Sequence, residues 1–168
     1  MKIPGLENPA TPEEVRRILH NPAFDEYVIG TTGRWRVYLN IRDQRFLGRC
    51  YAWLVNGKHA DLLDLGDLSE EEAQSLFGIV RRFRTAVENL WGATHVNYGW
   101  LGNETRIHRG HGHLHMTPRY FGGAPSFCGL SFPDPCIGKN SASSFPLKPG
   151  EEVLLPIRDA LRKEMKLA

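Results

Sequence analysis

Cysteine, long apolar runs and excess charge are all scarce in this chain. Its three cysteines, Cys50, Cys128 and Cys136, are odd in number, widely spaced and form no CxxC pair among 168 residues. Reduced thiols in a cytoplasmic protein are the expectation, with a Cys128–Cys136 bond the one pairing left open. No stretch approaches the roughly 18 apolar residues of a membrane span. The opening MKIPGLENPATPEE lacks the apolar segment of a secretory signal, so no membrane partner is expected. A formal charge of +2 is too small to argue for nucleic acid as a partner, although a local basic surface could still hold a small anion. What is present is ordinary globular composition, 41% apolar and 24% charged. The length suits one domain, 1–168, with a core of its own.

Local patterns give the element order. TPEEVRRILHN (11–21) carries a Thr cap, Pro at the first helical position and early acids, which predicts a short helix. EYVIG (26–30) and WRVYLNI (35–41) read as strands joined by the turn TTGR, and RFLGRCYAWLV (45–55) as a third strand before the turn NGKH. LSEEEAQSLFGIVRRFRTAVENLWG (68–92) predicts a long helix. Ser69 and Glu72 form a capping box, Leu76, Ile79, Val80, Phe83, Val87 and Leu90 make one apolar face, and Gly92 ends it. THVNYGWLG (94–102) and HGHLHMTPRY (111–120) read as two more strands, separated by NETRIHRG. A Gly-, Pro- and Ser-rich arm (121–150) precedes an amphipathic helix (151–166) containing Pro156, where a bend is expected. This order implies an α+β fold: an antiparallel sheet of about five strands, a long helix packed on it, and N- and C-terminal helices.

The row His111, His113, His115 carries the chemistry. In a strand, residues two apart share a face at roughly 6–7 Å, so these imidazoles line up while Gly112 and Leu114 face the other way. Three readings compete. Surface or core histidines by chance are disfavoured, because buried imidazoles each need a hydrogen-bond partner. A zinc site could use His-x-His, yet no cysteine or acid lies close in sequence to complete it, and no metal is expected. Nucleophilic catalysis on phosphorus fits the row best. An imidazole attacks a phosphoryl group and later departs, while its neighbours set its tautomer and stabilise charge.

HGHLHMTPR resembles the signature of the histidine triad nucleotide hydrolases and transferases, and VNYGWLGNE (96–104) and RDQRFLGRCYAWLVNGKHADLLDLGDLSEEE (42–72) resemble its upstream elements. The resemblance spans roughly 26–120, and within the family it is to the bacterial diadenosine tetraphosphate hydrolase-like subgroup. It implies a HIT-like fold, a nucleotide substrate attacked at the α-phosphate, and a homodimer formed through the long helix and the adjacent strand. It makes His113 the nucleophile, with His111 bracing it and His115 on the phosphate or the leaving oxygen. Asn40 matches the ribose position and Asn97 a polar residue near the scissile phosphate. Asn103 and Glu104 belong to the loop before the triad, where Glu104 matches the family's Gln, and the resemblance makes both substrate-binding. Turn chemistry is the alternative role for Asn40 and Asn97, and a solvated loop acid that for Glu104. No cofactor is implied, although a polyphosphate could arrive as its magnesium complex.

Three departures stand out. Arg49 occupies the place of a fourth family histidine, where a guanidinium could hold phosphate bidentately. His59 matches a structural histidine and is no substitute for it. The loop from Glu104 to His111 is about three residues longer than in relatives and carries Arg106, His108 and Arg109, either a polyphosphate clamp or solvated charge. Phosphoramidase, phosphorylase-type transferase and slow nucleotide sensor remain open beside the hydrolase.

Overall fold

Alternating side chains and one long amphipathic helix build the architecture that the pattern predicts. The computed structural model describes residues 22–55, 64–101, 112–134 and 146–168. A short helix, α1 (Pro22–Asp25), leads into strands β1 (Val28–Thr32) and β2 (Trp35–Leu39), joined at Gly33, whose φ of 57° suits glycine. There follow β3 (Cys50–Leu54), the long helix α2 (Glu70–Trp91), β4 (His95–Trp100) and β5 (Leu114–Arg119). A small hairpin, β6 (Ser126–Phe127) with β7 (Leu130–Ser131), and the helix α3 (Glu151–Met165) complete the described chain. The five main strands form one antiparallel sheet in the order β1-β2-β3-β5-β4.

Both long helices cover one face of this sheet. Leu76, Ile79, Phe83, Ala86 and Val87 of α2 are buried with Val153, Leu154, Ile157, Leu161 and Met165 of α3. They pack with Val37, Leu39, Cys50, Ala52, Leu54, Leu114 and Met116 in one core. Each fully buried large side chain contributes about 1.5–3 kcal/mol. The Ser69 Oγ accepts the Glu72 N–H at 3.3 Å and the Glu72 carboxylate accepts the Ser69 N–H at 2.9 Å, so the expected capping box is present. Gly92 closes α2 in the left-handed conformation.

Two regions depart from the sequence expectation. The third strand begins at Cys50 rather than Arg45, because residues 40–49 fold back on themselves. The buried Gln44 amide donates to the Asn40 and Arg49 carbonyls (2.6 and 2.9 Å) and accepts the Gly48 N–H at 2.9 Å. Gly48, with φ of 80°, lies so close to the Trp91 ring that a Cβ would collide with it. The arm after β5 is docked where it is described. Phe132 is fully buried in the core, the Leu147 carbonyl accepts the Gln44 N–H at 2.7 Å, and Asp134 takes Arg119 in a bidentate ion pair (2.6 and 3.0 Å). Helix α3 runs on through Pro156. Beside it, Ala168 pairs with Thr31 of β1 through two backbone hydrogen bonds, at 2.6 and 3.1 Å. The predicted helix at 11–21 and the turn at His59 lie outside the described residues. No described helix is long and apolar enough to cross a membrane.

Candidate active site

The site lies on the sheet face turned away from α2 and α3. Leu114 and Met116 point into the core, so His113 and His115 are displayed on the opposite side, both half-buried. Their ring centroids are 4.5 Å apart with the planes inclined by 45°. This is the shared face that the spacing of two predicts.

Cross-strand register extends the site into rows. His115 lies between Tyr51 of β3 and Gly99 of β4, and Tyr51 lies beside Tyr38 of β2. The Tyr51 ring stands edge-on to both histidines, with centroids 5.3 Å from His113 at 87° and 4.9 Å from His115 at 79°. Burial pushes the Tyr51 phenol above its usual range, opposed by the nearby Arg49 and Arg42 charges, so it stays neutral at physiological pH. Trp53 stands edge-on to His113 at 6.5 Å and packs on Tyr38 at 4.2 Å. Tyr38 and Trp53 form a second apolar cluster with Phe24, Val28 and Val55. Among the described residues nothing lies within 4 Å of a Cβ placed on Gly99, the cross-strand partner of His115.

A second row lies two residues further along each strand, roughly 6–7 Å away. Asn97 is opposite Thr117. One step beyond the Cys50–Met116 and Leu39–Cys50 pairs, Thr117 aligns with Arg49, and the Asn40 N–H donates to the Arg49 carbonyl at 2.9 Å. Asn40, Arg49 and Asn97, picked from separate segments of the sequence, thus share one row next to that of His115. Their environments differ. Asn97 is exposed on the edge strand. Asn40 is buried, 1% exposed, and its side-chain oxygen accepts the Arg42 and Asp43 N–H groups at 2.9 and 3.1 Å. That is turn chemistry shaping the 40–49 loop. Arg49 donates from Nη1 to Asp43 Oδ2 at 3.0 Å, and its buried Nε makes no hydrogen bond among the described residues. His111, Asn103, Glu104, Arg106, His108 and Arg109 lie outside the described residues.

Sequence reasoning missed the aromatic wall and Asp43. Tyr51 and Trp53 alternate with Cys50, Ala52 and Leu54, and sorting that strand by parity separates the two faces. Asp43 carries no local signal, because its partner Arg49 is six residues away across a folded loop. Among the described residues no three His, Cys, Asp or Glu side chains cluster as metal ligands. Cys50 and Cys128 are free thiols, and burial raises the Cys50 thiol well above its usual range.

Solved structures share this arrangement of sheet and helices. A hypothetical histidine triad nucleotide-binding protein from Sulfolobus tokodaii strain7 superposes with a TM-score of 0.66 at 12% identity, covering 90% of this chain and 91% of that one. The chain has the histidine triad fold. A zinc-bound histidine triad family protein from Mycobacterium smegmatis matches the same fold with a TM-score of 0.59 at 18% identity, over 91% of this chain and 92% of that one. A histidine triad protein from Bradyrhizobium japonicum matches with a TM-score of 0.59 at 21% identity, over 84% of this chain and 92% of that one. By sequence, no family model and no curated protein matches the chain. Within the histidine triad fold of this chain, His115 lies on β5 and His113 immediately precedes that strand, both on the sheet face turned away from the two long helices.

Proposed function

We propose that this protein is a histidine triad nucleotide hydrolase or transferase that acts at the α-phosphate through a nucleotidyl-His113 intermediate. The observation that carries the reading is the pair His113 and His115, 4.5 Å apart on the face turned away from α2 and α3, in a sheet with the histidine triad fold. The imidazole of His113 attacks the α-phosphorus, forming a P–N bond as the bond to the leaving group breaks. The leaving group departs with the electron pair and takes a proton, for which His115 is the neighbouring acid or hydrogen-bond donor. Water then attacks the same phosphorus, the P–N bond breaks and His113 is restored, with nucleoside monophosphate as product. The aromatic wall of Tyr38, Tyr51 and Trp53 keeps bulk water from one side of the imidazoles. The row of Asn97 and Arg49 supplies polar contacts for ribose and phosphate oxygens.

Dinucleoside polyphosphates such as diadenosine tetraphosphate are the proposed substrates, with nucleoside phosphoramidates and phosphorylase-type transfer as alternatives within the same chemistry. The route calls for no resident metal, and a polyphosphate can bring its own magnesium. The proposed assembly is a homodimer. β4 is an edge strand, and Tyr98 on it and Phe77 on α2 are 40% and 66% exposed. Such an edge with neighbouring apolar groups suits pairing with a second copy. Light scattering on the purified chain tests this, and a monomer at all concentrations refutes it.

Product chromatography after incubation with diadenosine tetraphosphate and, separately, adenosine phosphoramidate tests the activity. AMP and ATP from the tetraphosphate, absent with His113→Ala, is the expected result. Cleavage of the phosphoramidate alone changes the leaving group and keeps the chemistry. A second reading, a slow nucleotide-binding sensor, is favoured by the Asp43-bound Arg49 standing where the family resemblance places a histidine. Nucleotide binding without turnover supports the sensor. Stoichiometric zinc that is lost in His115→Ala replaces both readings with a metal site.

A further inference from the structure

Arg49 reaches the site from a loop rather than from within a strand, and a long side chain in that position has many rotamers to lose on binding. One group restricts it. Asp43 is buried, with its side chain 9% exposed, and its two oxygens have separate tasks. Oδ1 accepts the backbone N–H of Arg45 at 3.0 Å and of Leu147 at 3.1 Å, fastening the loop to itself and to the segment before α3. Oδ2 accepts Arg49 Nη1 at 3.0 Å. The remaining donors of the guanidinium fork include Nε, which is buried and makes no hydrogen bond among the described residues. A buried guanidinium N–H without an acceptor is costly, and an anionic oxygen would satisfy it. By register this group belongs to the row next to His115, across from Thr117 and Asn97.

From this we infer that Asp43 is a positioning residue that aims Arg49 at a phosphate group of the nucleotide held beside His115, an inference that rests on the nucleotide reading above. Asp43 touches no substrate itself. It fixes the cation on which a phosphate oxygen lands, and through Leu147 it ties that cation to the chain beyond the arm.

The division of labour between the two oxygens provides the test. Asp43→Asn can keep Oδ1 for both backbone N–H groups while placing an amide N–H₂ against the guanidinium, so the loop holds and the aim is lost. AMP affinity is measured by calorimetry for wild type, Asp43→Asn, Arg49→Ala and the double variant, with Tm taken for each. The single variants should each weaken AMP about tenfold or more, and the double variant no more than Arg49→Ala alone. Losses that add in the double variant, or an Asp43→Asn protein that binds like wild type, overturn the inference. Wild type without affinity for AMP overturns the nucleotide reading itself, so the two failures are distinct. Should Asp43→Asn unfold, the Arg49 Nε–H resonance of ¹⁵N-labelled wild type decides. It should shift on AMP addition, and an unmoved resonance overturns the inference.

Discussion

The two faces of the sheet obey the same period of two and do opposite things with it. Toward the helices, Cys50, Ala52, Leu114 and Met116 are buried in one continuous core. On the other side Tyr51, Trp53, His113 and His115 are cross-strand neighbours whose rings meet edge-on. Adjacent residues of β5 thus belong to different energetic worlds. The face packed on the helices supplies the rigidity, and the histidine face takes its geometry from it. Histidines on a flexible loop would have to be ordered by substrate. Here His115 is held in a ladder that β5 shares with β3 and β4, and His113 sits one residue before that ladder begins.

Substitutions that separate the faces should give effects of very different size. The largest is His113→Ala. Turnover of diadenosine tetraphosphate should fall by roughly 10⁴-fold or more, as for loss of other nucleophiles, while Tm stays near that of wild type. A collapsed Tm would make the row structural. One residue on, Leu114→Asp should do the reverse, placing an unpaired carboxylate in the core at a cost on the order of 4 kcal/mol. An unchanged urea midpoint would refute the face assignment. Asp134→Ala sharpens the comparison, since Arg119 lies on the histidine side yet is buried by the arm. Breaking that pair should cost about 3 kcal/mol, seen as a fall of roughly 6–12 °C in Tm. Ser69→Ala, at the helix cap behind the core face, should cost only about 1 kcal/mol and leave turnover unchanged. Thermal melts and steady-state assays on the same preparations check both parts.

Elements with local signatures were legible from the sequence. The Ser69–Glu72 box and Gly92 bound α2, and its apolar spacing names the buried face. The histidine spacing correctly placed His113 and His115 together and Leu114 opposite. What was not legible depends on partners distant in the chain. RFLGRCYAWLV reads as one strand because its composition is strand-like throughout. Its first half is a loop because Gln44 bonds to Asn40, Arg49 and Gly48, which no hydrophobic pattern encodes. Likewise the composition of the arm gave no hint that Phe132 and Asp134 dock on the sheet, since both are fixed by contacts with earlier segments.

The edge-on contact between Trp53 and His113 has an optical consequence. Of the four tryptophans, Trp35 is sealed in the core, Trp91 leans on Phe127 and Trp100 packs against the main core from β4. Trp53 stands 6.5 Å from the histidine proposed to take up the nucleotidyl group. Indole emission responds to the charge and polarity of what stands beside it. A rapid-mixing fluorescence trace should therefore follow the loading and unloading of His113 in real time, with no dye attached and no substrate label.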